Sequence, residues 1–338
     1  MWGLWHFYRG RGALNRARHL SEELLALAER CGDPMMLLAA HQALGHSLYH
    51  LGEFSGALGH LEQARPGLHP KLDRSPHLRY GVAPVVQSMA SLAQLLWCLG
   101  FPDQALQRSR EAVDSARELS HLHSLACSMY FAVRLHLLRR ETHRADQLAE
   151  QALALSTKHG FSFWTALLVF MQGWSLCHQG RGAEGLVRMR TGLADAEATG
   201  ARMMRPMFCA LLTRAYGQTG QLDEAMRMLS DTLQAVEESG QRHYEAEAHR
   251  FRGELHLRKM HPDFEQAEGS FQHALSIARR QQAKSWELRA ATSLARLWRD
   301  QGRRAQAHNL LAPVYRWFTE GLETADLKDA KALLDELA

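Results

Sequence analysis

LGEFSGAL at 51–58, LGFPDQAL at 99–106, TGQLDEAM at 219–226 and QGRRAQAH at 301–308 are four copies of one turn. In each, a glycine stands five residues before an alanine: Gly52 before Ala57, Gly100 before Ala105, Gly220 before Ala225, Gly302 before Ala307. Glycine ends a helix because, lacking Cβ, it enters positive φ at the C′ position without a clash. An alanine one turn into the next helix lets two helix backbones come close. The pair therefore reads as the tip of a helical hairpin.

Working outward, the small residue recurs as Ala17, Ala57, Ala105, Ala145, Gly185, Ala225, Ala267 and Ala307, at intervals of 40, 48, 40, 40, 40, 42 and 40 residues. Gly12 and Gly180 extend the glycine series, and Arg140 takes the glycine's place in the fourth unit. A second punctuation series, offset by half a period, runs through Gly32, Gly160, Gly200 and Gly240, with Ser120 and Ala283 in equivalent places. Between the breaks the apolar spacing is helical, as in Leu148, Leu153 and Leu155 or Met226, Leu229 and Leu233. No β-branched residues alternate with polar ones, so strands are not expected.

A lone hairpin cannot bury its apolar face, but stacking on neighbours does so. The expected fold is all-α: an α-α superhelix, a single solenoid over 1–338 of about eight helix pairs with the ~40-residue period of the small-residue series. Met1 falls inside the first helix of the first unit, which is expected to be truncated, with a longer protein or a shortened reading frame behind it. The 48-residue interval holds RPGLHPKLDRSPHLRYGVAP, whose prolines predict a loop insertion at about 65–84, and TADLKDAKALLDEL predicts a capping helix at about 324–337.

Composition narrows the function classes. The chain has 40 basic and 36 acidic side chains and a formal charge of +4, with arginines scattered and partly balanced by glutamates. A clustered basic stripe is missing, which disfavours nucleic acid as a partner. Five cysteines without a CxxC pair read as buried, reduced thiols of a cytoplasmic protein, and no stretch is apolar enough for a membrane span. His46 and His50 share a helix face, but no third ligand is identifiable and no HExxH occurs, so no metal or other cofactor is expected. The Cys127/His136 and Cys177/His178 pairs lack the geometry of a nucleophile and its base. GRGALNRA at 10–17 lacks the lysine and hydroxyl of a phosphate loop. No catalytic residue is assigned. The aromatic group Phe161, Phe163, Trp164, Phe170 and Trp174 reads as core and inter-repeat packing.

The turn pattern, with a further alanine seven positions on (Ala64, Ala112, Ala152, Ala274), resembles the tetratricopeptide repeat. More specifically, ALGHSLYHLGEFSGALGHLEQA (43–64), FPDQALQRSREAVDSARELSH (101–121), YEAEAHRFRGEL (244–255) and above all 279–337 resemble the C-terminal repeat region of large bacterial proteins. In those proteins an adenylate/guanylate cyclase-type domain and an AAA-type predicted ATPase precede the repeats. The resemblance implies a regulatory, non-enzymatic segment of a bacterial signalling protein. YGVAPV at 80–85 departs from the Asp-Pro of such relatives.

The resemblance also implies that the first helix of each pair lines the concave face. In that register, position 9 is His46, Gln94, Arg134, Trp174, Arg214, Glu254 and Arg296; position 5 is Gln42, Ala90, Tyr130, Phe170, Ala210, Arg250 and Thr292. Tyr130, Arg134, Phe170, Trp174 and Arg214 are the expected ligand contacts along one inner wall. Arginines among aromatics suit a protein or peptide partner, in particular an acidic one, or an anionic small molecule. Two functions are consistent with this: a protein-interaction scaffold, or an inducer-sensing solenoid controlling an upstream catalytic or DNA-binding domain.

Overall fold

The computed structural model describes residues 1–64 and 81–338. The predicted insertion at 65–84 therefore lies outside the described residues, save for 81–84, which lead into a helix at Pro84. Among the described residues there are seventeen helices and no strand. They run α1 (Trp2–Gly10), α2 (Leu14–Cys31), α3 (Pro34–Leu51), α4 (Phe54–Gln63), α5 (Pro84–Leu99), α6 (Pro102–Glu118), α7 (Leu122–Leu138), α8 (Thr142–Lys158) and α9 (Ser162–His178). The second half holds α10 (Gly182–Ala198), α11 (Arg205–Gln218), α12 (Leu222–Ser239), α13 (Glu245–Leu257), α14 (Phe264–Arg280), α15 (Lys284–Asp300), α16 (Arg304–Arg316) and α17 (Ala325–Leu337). Successive helices pair as antiparallel hairpins, giving units 1 to 8, with α17 following unit 8 and packing on α15 and α16.

The turns follow the punctuation read above. Gly12, Gly52, Gly100, Gly180, Gly220 and Gly302 all hold positive φ, and so do the substitutes Ser120 and Arg140. The register slips once. Gln282, at φ 55°, takes the left-handed position of the last inter-unit turn, and Ala283 is the N-cap that follows it. The two-residue lengthening of the turn between α13 and α14, inside unit 7, moves this position along by the same two residues. The recurring alanines sit where helices cross: Ala17, Ala57 and Ala307 are wholly buried. In unit 5 the crossing is tighter still. A Cβ on Gly192 would stand 2.6 Å from Phe170 N and 2.7 Å from Ala166 O, so α9 and α10 touch backbone to backbone.

The superhelix returns to itself after five units. Gly10 O, at the end of α1, accepts from Arg202 N and Met203 N at 2.7 and 3.2 Å, just before α11. One unit later His50 O, near the end of α3, accepts from Arg242 N and His243 N at 2.9 and 3.3 Å, just before α13. One unit later again, Ser285 Oγ donates to Trp97 O at 2.5 Å, and Trp97 meets Trp286 edge-on at 4.7 Å. Finally Arg289 Nη2 donates to Leu138 O at 2.6 Å. Carbonyls of the last helical turn have no partner inside their own helix; here the next superhelical turn supplies one. Glu320 completes the seam by accepting from Asp103 N and Gln104 N at 2.9 and 3.1 Å, at the start of α6.

This closure fills the concave side. The accessible surface is 14446 Å², close to the roughly 13,900 Å² expected for a globular chain of this mass. The first helices of units 2 to 4 are buried along nearly their whole length.

Candidate functional site

The odd-numbered helices α3 to α15 supply the inner wall, and the five residues expected there take different places. Phe170 stacks on Phe208 with ring centroids 3.7 Å apart, and Tyr130 packs beside Trp164 at 5.8 Å. Both are completely enclosed. Trp174 is buried against His178. These three serve packing within the closed superhelix.

Arg134 is also enclosed, 2% exposed, and its Nη2 donates to Tyr49 Oη at 2.8 Å. Its Nε and Nη1 have no hydrogen-bond partner, and it forms no ion pair among the described residues. Beside it stand three buried histidines: His46 and His50 with rings 4.6 Å apart, and His50 and His243 likewise 4.6 Å apart. His46 touches Ser91 Oγ at 3.0 Å and Arg9 Nη1 at 3.3 Å; both ring nitrogens of His50 and of His243 lack partners. Burial holds all three imidazoles well below their ordinary range, and their neighbours add to it: Arg9 for His46, Arg134 for His243, and for His50 the two adjoining rings, which would repel a second proton nearby. They are neutral in the fold. No group of three or more His, Cys, Asp or Glu able to hold a metal occurs among the described residues.

Cys98, Cys127 and Cys209 are buried, with Cys98 and Cys127 pushed up to about 12 by burial. Two depart from the expected pattern: Cys31, the last residue of α2, is exposed, and Cys177 is only partly buried.

Arg214 reaches open space. It lines a cavity of about 130 Å³ with Arg140, Arg250, Arg289, Arg296, Glu254, Asp326 and Asp329. These residues come from the turn after α7, from α11, α13 and α15, and from α17, so the cavity exists because the superhelical turn closes. Four of the arginines are tied down. Arg250 pairs with Glu247 and Glu254, and Arg289 Nε bonds Asp326 at 2.7 Å while its guanidinium covers Trp97 and Trp286. Arg140 reaches Asp329 at 2.7 Å, and Arg296 approaches the same oxygen at 3.6 Å.

Arg214 makes no ion pair among the described residues, and its Nε has no hydrogen-bond partner. Its guanidinium lies over Phe251, 5.5 Å from the ring centroid. Burial, with the charges of Arg250 and Arg289, pulls its pKa down against the opposing pull of Glu254. Nearby, burial and then Arg214 bring His178 down to about 4.

The concave-face register already contained Arg214, Arg250, Glu254, Thr292 and Arg296. It missed Arg140, Arg289, Asp326 and Asp329. One signal for Arg140 was present: an arginine occupied a slot where every local rule asks for glycine. A non-glycine residue held at φ 63° carries strain, which persists where surrounding structure imposes it and often marks a functional place.

No protein-family model matches the chain. Among curated proteins it is similar to an uncharacterized protein of Rhizobium meliloti (strain 1021), 24% identical over 176 residues; the match covers 51% of this chain and 17% of that protein. The chain thus spans less than a fifth of that relative's length. Solved structures resemble it along its full extent. A Rap protein complexed with Competence and Sporulation Factor is 12% identical, with 100% of this chain and 98% of that one covered and a TM-score of 0.56. The Rap conjugation regulator of plasmid pLS20, solved with a Phr peptide, is 12% identical with 99% and 94% covered and a TM-score of 0.58. The Cut9-Hcn1 assembly is 15% identical with 95% and 58% covered, at 0.58. At these identities the likeness is one of fold. The chain is a tetratricopeptide-like helical-repeat superhelix, and no helix among its described residues is long and apolar enough to cross a membrane.

Proposed function

We propose that this chain is a non-enzymatic protein-interaction scaffold, the regulatory repeat region of a longer cytoplasmic signalling protein of the ATPase/cyclase type. Its partner presents an acidic segment to the arginine cavity on the inner wall. The observation that carries this reading is Arg214, a half-buried guanidinium without a carboxylate, facing a cavity its four neighbours hold in shape. A cation in a partly dry site recognises a carboxylate through charge-assisted bonds stronger than those made in water. The length of the Rhizobium relative supports placement in a larger protein. That two neighbours of like fold were solved in complex with Competence and Sporulation Factor or with a Phr peptide supports a peptide as ligand.

The test uses a phage-displayed random peptide library selected on the full chain. Enrichment in Asp and Glu is expected, with affinity of the selected peptides reduced about tenfold or more by Arg214→Ala, since a charge-assisted bond contributes about 1.5–3 kcal/mol. Selected peptides without acidic bias, or unaffected by the substitution, would sink the reading. The cavity's small size favours one alternative, an inducer-like anionic small molecule whose occupancy is passed to an upstream domain. Saturable thermal stabilisation by a metabolite, with no peptide selected, would favour that alternative.

A further inference from the structure

We infer that the cavity around Arg214 is an oxyanion site built for a tetrahedral phosphate group. The inference rests on the reading of this cavity as the place where a ligand is anchored, and it names the chemistry of the anchor.

Three features separate phosphate from a planar carboxylate. The first is direction. Guanidinia reach the cavity from three separate elements: the unpaired Arg214 from α11, Arg296 from α15 and Arg140 from the turn after α7. A carboxylate accepts in one plane and is satisfied by one or two forks, whereas a phosphate accepts on all sides. The second is charge. Five arginines meet three lining carboxylates, with Glu247 behind them; Arg140 and Arg296 both reach Asp329, and Arg140 also reaches Asp326 at 3.5 Å. A dianion beside Arg214 supplies the counter-charge that Arg214 lacks, with further acceptor oxygens for its neighbours. The third is size. About 130 Å³ accommodates a small oxyanion together with ordered waters. The cations are all arginine, the side chain whose rigid fork matches phosphate oxygens.

The site is tested on the full chain by thermal unfolding in rising inorganic phosphate, with ionic strength held constant by sodium chloride and sodium acetate as the carboxylate control. Phosphate is expected to raise Tm saturably in the low millimolar range, whereas its generic exclusion effect is non-saturable and needs far higher concentrations. Acetate is expected to do nothing at the same concentrations. Arg214→Ala is expected to weaken phosphate at least tenfold. Because Arg214 also covers Phe251, Arg296→Gln is the second variant; it sits at the exposed lip, folds as the parent, and is expected to weaken phosphate about threefold. A phosphoserine peptide that binds at least tenfold more tightly than inorganic phosphate assigns the group to a partner's side chain, and equal affinities assign it to a free phosphate compound. Acetate matching phosphate, or both variants responding as the parent does, overturns the site. The two readings fail separately. Acidic peptides that need Arg214 while phosphate is inert overturn only this inference. Arg214-dependent phosphate binding with no peptide selected overturns only the partner reading.

Discussion

Arg134 shows what a single residue costs in this fold. Its guanidinium is enclosed beside Tyr49 without a carboxylate, and two of its nitrogens make no bond. A buried charge lacking a counter-charge is penalised by several kcal/mol of lost hydration, and replacing such a group with an apolar one of similar volume is often stabilising. Arg134→Met is therefore expected to raise stability by about 1–3 kcal/mol in urea unfolding; a loss of similar size would contradict an uncompensated charge at this position. The concave register placed Arg134 on the inner wall from sequence, yet sequence could not tell an open wall from a closed one. Burial depends on what the chain lays across it two hundred residues later. Arg214, at the same repeat position, stays reachable because it borders a cavity that it shares with Asp326 and Asp329 of α17.

At the scale of the helix, α3 carries His46 and His50 one turn apart, and the seam brings His243 onto them. The groups facing them are Arg9 and Arg134, both positive, with Tyr49 and Ser91, and no carboxylate among the bonded or stacked neighbours. Since the folded pKa values are depressed, the unfolded chain binds more protons once pH falls through the unfolded value of about 6.5. Stability is thus full above that pH and is lost below it. Each histidine adds a slope approaching about 1.4 kcal/mol per pH unit, so the three together approach about 4. Urea unfolding from pH 7.5 to 5.5 should show this fall, and a flat profile would contradict neutral, buried imidazoles. The element pattern itself was legible beforehand because glycine and alanine act locally: one ends a helix, the other lets two helices touch. Gln282 escaped notice because a glutamine at positive φ has no signature of its own; the two-residue lengthening that displaced it was visible, but its consequence downstream was a matter of counting that only the backbone resolved.

Across the whole molecule, the decisive feature is that unit n rests on unit n+5. No short motif encodes this; it is the sum of small rotations between neighbouring hairpins. It explains together why the inner wall is buried in the first half of the chain, why turn glycines such as Gly100 also leave room for Lys284 and Trp317, and why the arginine cavity draws on residues from 140 to 329. Ser55 and Gln282 are the most convenient pair on the seam: exposed, 227 residues apart in sequence, and joined by a 2.6 Å hydrogen bond. With Cys31 replaced by serine, Ser55→Cys and Gln282→Cys should be bridged within one chain by a short bismaleimide, giving a single linked peptide pair by mass spectrometry at high dilution. Absence of that intramolecular link, with both thiols singly modified, would show an open spiral and contradict the closure on which the site depends.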